Sequence, residues 1–348
     1  MRDLFNADHA AFAQSFAAFV ERDADAPDAF SRAGQAGLLG MQIAEQHGGG
    51  GIDDPRFCAV AIEELVSRGR VGLALAYAGH VGAGQAVLSG EATTQQQEKW
   101  LPPLVAGEVS VAVSAQAVSG EVTGDGLTVR GCCAAVVNGA VAELALIPVR
   151  SDDLDIAVAL VPLPSDRVHR TELDGLAVAD AALADLEFDD LILPRSCLLA
   201  ASAATRLRAA MRLWAGVIGV AGARTALGWT RGYVRDRRVF GRPVAAFENT
   251  RQALGRLAAD TRSAQVYLDD CLRRHGAGDL PDHDAAAAKL VGSELFGRAV
   301  DQGLQLHGGY GYMREYPIST LFADARFLRW YAGADEQLRV DMADSVSW

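Results

Sequence analysis

The chain has 348 residues, half of them hydrophobic, and a formal net charge of −12. That length supports one large core or two to three sub-domains. An acidic balance with no basic block argues against binding nucleic acid through a positive surface. Lys99 and Lys289 are the only lysines, and the other basic residues are arginine. Cys58, Cys132, Cys133, Cys197 and Cys271 are odd in number and lack metal spacing. They read as thiols of a reducing cytosol, so a cytoplasmic location and no metal site are expected. Residues 1–20 alternate charges with aromatics, so no signal peptide is expected. No apolar run is read as reaching the ~20 residues of a membrane span.

Asn6 or Asp8 can cap a first helix, on which Phe12, Phe16 and Phe19 share one face. Further helices are expected over Asp28 to Gly37, Pro55 to Arg68, Val71 to Leu88, and Thr94 to Leu101. The last should stop at Pro102-Pro103. The glycine run Gly48 to Gly51 reads as a loop, and it lacks the GK[ST] ending of a nucleotide P-loop. From Glu108 the period changes to two. Strands are expected over 109–114, 127–130 after a Gly124-Asp125-Gly126 turn, 144–149, 156–161 and 186–193, ending at Pro194. They form a β domain of barrel or sandwich type. Helices return from about Ala203 to Arg235, Phe247 to Arg274 and Asp284 to His307, and a fourth begins near Gly333. Their Ala/Leu/Val stripes at three- and four-residue spacing are those of an antiparallel bundle. A tight aromatic loop is expected between Gly308-Gly309 and that fourth helix. The class is therefore α+β and mainly α, with domains at 1–108 (helical), 109–197 (β) and 198–348 (four-helix bundle).

Four segments in this order carry a family resemblance: LLGMQIAEQHGGGG at 38–51, EKWLPPLVAGE at 98–108, RDRRVFGRP at 235–243 and QLHGGYGY at 305–312. With the helix–strand–helix order, the chain resembles the acyl-CoA dehydrogenase family of flavoproteins over nearly its whole length. The resemblance implies FAD shared at a subunit interface and an acyl thioester of coenzyme A as substrate. In that family a carboxylate removes the C2 proton while the C3 hydride passes to flavin N5.

On the resemblance, Arg237 takes the position whose planar guanidinium meets the neighbouring subunit's FAD pyrophosphate. Phe240 would pack near the cofactor. Gln305, Gly308 and Gly309 match the family's glutamine and paired glycines, with Leu306 and His307 between them lining the same loop. Glu248 stands where the family usually has glutamine. The ring side departs further. The family's Thr-Glu-Pro-Gly loop is replaced by Ser114 to Gly120, and Ala135 and Val137 stand where a Trp and a Thr usually flank the ring. Ala332 occupies the usual position of the catalytic glutamate, and Ala334 that of a threonine. Met211 fills the alternative base position on the first bundle helix, with no acid between Asp190 and Asp236. Asp335 and Glu336 are the nearest carboxylates, and their ordinary role is to favour a helix N-terminus.

Three readings follow. In the first, the chain is a base-lacking subunit that completes the FAD site of a catalytic relative. This is similar to the heterotetrameric acyl-CoA dehydrogenases (dimers of dimers) of bacterial steroid side-chain degradation. In the second, it is an active homo-oligomer with a base at Asp335 or Glu336, acting on acyl-CoA or a carrier-bound acyl group. In the third, it binds acyl-CoA without being an enzyme.

Overall fold

The computed structural model describes residues 2–26, 28–123, 126–151 and 154–346. The chain divides into two units. One comprises Met1–Ala61, Leu75–Gly175 and Ala179–Met211; the other comprises Ile62–Ala74, Leu176–Val178 and Arg212–Trp348.

Helix α1 (Ala7–Asp23) opens on a reciprocal cap. Asn6 Oδ1 accepts from the backbone N–H groups of Asp8 and His9, each at 3.1 Å, while His9 Nδ1 accepts from Asn6 N. Phe12, Phe16 and Phe19 are buried on its inner face. Helices α2 (Ala29–Gln35) and α3 (Arg56–Ser67) follow. The Gly48–Gly51 loop folds back on itself, with Gly50 N donating to Gly40 O and Ile52 N to Met41 O, both at 2.9 Å.

Two local expectations change here. Helix α6 (Thr94–Val105) runs through Pro102 and Pro103 instead of stopping at them. Prolines in the last turn forfeit two N–H donors, but Leu101 and Leu104 are fully buried and favour one more turn. The prolines' own carbonyls still take part in closing the helix: Ala106 N donates to Pro102 O, and Glu108 N to Pro103 O. Upstream, α4 (Val71–Tyr77), a π-helical stretch (Ala78–Gln85) and α5 (Ala86–Glu91) form one rod. Its 21 residues are, by length and composition, enough to cross a membrane, yet 78% of the apolar window is buried inside the protein. The π-helical turns place His80 where Nδ1 accepts from Val111 N at 3.3 Å and Nε2 meets Leu104 O at 3.1 Å. Burial pushes the His80 pKa down to about 4, so it stays neutral in the core.

The strands are β1 (Val111–Val113), β2 (Val118–Thr123), β3 (Gly126–Val136), β4 (Leu144–Ser151), β5 (Leu154–Pro162), β6 (Val168–Glu172) and β7 (Ala184–Pro194). Of the expected turn before β3, Gly124 and Asp125 lie outside the described residues. The strands make one mixed sheet. Both β1 and β2 run parallel to β4, β5 pairs antiparallel to β4, and β2, β3, β7 and β6 follow in antiparallel order. Alternate residues of every long strand, among them Leu127, Val129, Ile147, Val161, Leu186 and Phe188, meet in one core. The strands β2 and β6 were not expected, being short and polar.

Asn138 anchors the turn after β3. At φ 62° it holds a left-handed backbone, and its Nδ2 donates to Ala76 O and Val111 O, each at 3.2 Å. Asn138→Ala should cost about 2–3 kcal/mol, because two buried carbonyls lose their donor and alanine disfavours that backbone. A urea midpoint within error of the parent would show that the turn does not depend on this side chain.

The second unit is the bundle of α7 (Ala203–Asp236), α8 (Glu248–Gly276) and α9 (Asp282–His307), followed by α10 (Pro317–Leu328) and α11 (Asp335–Asp344). The first nine residues of α7 belong to the other unit. A Cβ on Gly219 would lie 2.4 Å from the Gly292 carbonyl carbon, so α7 and α9 touch backbone to backbone. Arg212, almost fully buried, joins α7 to Asp282 at 3.0 Å and to Asp341 at 3.2 Å. Helix α10 occupies much of the stretch expected to be loop. Its signals were Pro317 at the first helical position and the buried stripe Ile318, Leu321, Ala325 and Leu328.

Candidate functional site

The end of α9, the end of α7 and the hairpin β8 (Arg238–Val239) and β9 (Arg242–Pro243) enclose a groove of about 460 Å³. Arg237, Gln305, Leu306, His307, Gly308 and Gly309, six of the seven residues expected at a cofactor, line it. The Arg237 guanidinium is exposed and lies 5.3 Å from the centre of the Tyr310 ring. Among the described residues it makes no ion pair. Gly308, at φ 61° and ψ −141°, occupies backbone space that only glycine enters readily. Gly309 lacks that left-handed φ, and a Cβ there, as at Gly308, would meet nothing within 4 Å. Packing inside the chain therefore does not demand a glycine at 309, whereas close approach by a ligand would. The fold does not bring Phe240 into this groove. It stands at the hairpin tip, 95% exposed, at φ 49°. Glu248 starts α8 and accepts from Gln252 Nε2 at 3.1 Å.

The residues around Ala332 form a second, buried constellation. Ala332 turns at φ 58° and is buried; Met211, in the other unit, is buried there. Three residues on, the Asp335 carboxylate is fully buried and engaged. Lys289 Nζ reaches it at 2.5 Å, Ser293 Oγ donates to it at 2.8 Å, and Arg329 Nε meets its other oxygen. Lys289, itself fully buried, spends its remaining donors on Gly333 O at 2.7 Å and Arg329 O at 3.0 Å. The three N–H bonds of an ammonium are thereby matched to three acceptors. Burial pulls the Lys289 pKa down, while the bond to Asp335 opposes that shift. An Asp335 carboxylate held in this way is an ion-pair partner, not a free base. Glu336 is three-quarters exposed, and backbone hydrogen bonding, followed by the nearby arginines, lowers its pKa. Sequence reading missed the cluster. Its signal was Lys289 itself, a lone charge in the apolar run Ala285 to Val291.

The positions expected beside a flavin ring are already committed within their own unit. Ala135 N donates to Asp185 Oδ1 at 2.7 Å. Gln116 pairs its amide with the Ala134 backbone, Nε2 donating at 2.8 Å and Oε1 accepting at 3.1 Å. Val137 is 1% exposed and has no polar side-chain atom. No three His, Cys, Asp or Glu side chains gather as a metal site among the described residues.

The sequence profile "Acyl-CoA dehydrogenase, N-terminal domain" matches residues 2–108, and "Acyl-CoA dehydrogenase, C-terminal domain" matches residues 201–347. This chain belongs to the acyl-CoA dehydrogenase family. It is 26% identical over 386 aligned residues to the mitochondrial long-chain specific acyl-CoA dehydrogenase of Rattus norvegicus, covering 99% of this chain and 88% of that one. Its fold is that of an acyl-CoA dehydrogenase from Geobacillus kaustophilus, with a TM-score of 0.90, 24% identity and 99% of each chain covered. It is also that of an acyl-CoA dehydrogenase complexed with FAD from Bacillus anthracis, with a TM-score of 0.86 and 22% identity over 98% of this chain and 67% of that chain. Within this family member the groove and the Lys289 cluster are therefore features of the C-terminal helical region, and the committed Ala135 and Gln116 are features of the β sheet.

Proposed function

We propose that this chain is a subunit of an acyl-CoA dehydrogenase assembly, in which it holds the adenosine-pyrophosphate end of FAD for a related chain that carries the base. The observation that carries the reading is the chemistry around Ala332. Alanine and methionine stand at both family base positions, and the next carboxylate, Asp335, is locked to Lys289 and Arg329. Bound FAD supplies the hydride acceptor for α,β-dehydrogenation of an acyl-CoA thioester. This chain's part is to bind and orient. An unpaired Arg237 suits the pyrophosphate, and the bare surface at Gly309 leaves room for it. Phe240, exposed at its hairpin tip, suits contact with the partner side of the cofactor. The residues of the groove fit one end of FAD. Ala135, Gln116 and Val137 do not fit the ring, because their polar groups are spent or absent.

The test is to purify the chain alone and co-expressed with a relative that carries the glutamate, then to record a flavin spectrum, the assembled mass and dehydrogenation of acyl-CoA. The chain alone should be colourless and inactive, and the complex should be yellow and active. Tight FAD with full turnover from the chain alone would overturn the reading.

A further inference from the structure

The fold fixes the hydrogen-bonding state of the His307 imidazole before any ligand arrives. Its Nδ1 lies 2.7 Å from Gly303 O, one helical turn back. A carbonyl oxygen only accepts, so Nδ1 carries the single proton of the neutral ring and Nε2 is left as an acceptor. Burial holds the ring neutral by lowering its pKa, against the smaller opposing pull of the Gly303 carbonyl. The ring is also clamped. Tyr233 stacks on it at 4.1 Å and 20°, and Tyr316 stands edge-on at 6.1 Å. The Tyr233 hydroxyl is no donor to Nε2, since its one proton goes to His307 O at 3.1 Å. His307 is only 6% exposed, yet it is one of the residues that line the groove. Nε2 has no protein partner among the described residues.

The groove thus presents two opposite polarities. Arg237 only donates and matches phosphate oxygens. His307 Nε2 only accepts and matches a group that carries a proton. We infer that His307 is a specificity-determining residue of this groove, its Nε2 receiving a hydrogen bond from an amino or hydroxyl group at the nucleoside end of the ligand. This rests on the subunit reading above and deepens it, because the adenosine of FAD offers both donors, the adenine amine and the ribose hydroxyls. Protonation would occupy Nε2 and convert the acceptor into a donor. Affinity for the nucleotide therefore falls as pH drops through the His307 pKa, which burial holds below the ordinary histidine value. An imidazole that only faced the pyrophosphate would behave in the reverse way and bind more tightly once charged. Among the described residues, the other titratable or charged groups around the ring are Tyr233 on α7, Arg237 just after it, Tyr310 beyond α9, and Tyr316 before α10. Histidine is the residue type that titrates between roughly pH 5 and pH 8.

The experiment measures FAD affinity of the co-expressed complex by flavin fluorescence over roughly pH 8 to pH 5, the window in which histidine titrates. With unaltered protein, affinity should weaken about tenfold toward the acid end. His307→Phe keeps a ring against Tyr233 and removes the acceptor. It should bind about tenfold more weakly at the alkaline end and lose the pH dependence. The pH profile of the unaltered protein needs no variant, so a folding defect in His307→Phe leaves the test intact. Flavin hypoxanthine dinucleotide, which lacks the adenine amine, separates the two donors. If His307→Phe makes no difference with that analogue, the amine is the donor; if the tenfold loss persists, it is a ribose hydroxyl. Affinity that rises toward acid, or that ignores His307→Phe with FAD, overturns the inference alone. A complex that takes up no FAD at any pH overturns the subunit reading and this inference with it.

Discussion

Lys289→Ala should destabilise the helical bundle by about 3–5 kcal/mol, the usual consequence of stripping one partner from a buried ion pair. The ammonium lies between α9 and the turn that leads into α11, where it satisfies Asp335 and the carbonyls of Arg329 and Gly333. Alanine would leave both carbonyls without a donor and Asp335 with Ser293 and the half-buried Arg329. Lys289→Arg should not rescue the site, because a planar fork cannot aim at three acceptors arranged for an ammonium. Removing both charges is a different case. Lys289→Met with Asp335→Leu should recover much of the loss, since an apolar pair avoids the desolvation that the ion pair must offset. Urea unfolding followed by tryptophan fluorescence measures all three, and a loss below about 1 kcal/mol for Lys289→Ala would mean that the pair is not a structural clamp.

The second large effect concerns the cofactor. In the co-expressed complex, Arg237→Ala should weaken FAD binding about a hundredfold, as expected for charge-assisted hydrogen bonds worth roughly 1.5–3 kcal/mol. The melting temperature without FAD should stay unchanged, because the guanidinium is exposed and its one ring contact is to Tyr310. Gly309→Ala should show the same separation on a smaller scale. The added methyl meets nothing in the chain, so stability is kept, but it intrudes on the surface a ligand would approach. Unaltered FAD retention in both variants would remove the groove from the binding site.

Much of this was readable from local pattern. The Asn6 cap, the three phenylalanines of α1 and the stripes of α7, α8 and α9 depend on spacing of a few residues. The groove was legible because Arg237 sits in a short recognisable segment and Gln305 to Gly309 are contiguous. The strands β2 and β6 were not, because short polar segments become strands only through the partners they meet. The α10 helix is not legible in the sequence, because glycine and tyrosine in the preceding turn outweigh the stripe that follows.

The absence of a carboxylate at Ala332 and Met211 is a property of the sequence alone, since no folding can create a side chain that is not encoded. Whether Asp335 stands in for it is decided by tertiary structure. Its partner Lys289 lies 46 residues away, and nothing adjacent to either one points to the other. Likewise, His307 in isolation is any histidine beside two glycines. Its tautomer follows from the Gly303 carbonyl one turn back, and its clamping from Tyr233, brought to it from a helix 74 residues earlier. Residue type and local spacing are written along the chain, whereas burial and hydrogen-bond partnership arise only when distant segments pack together.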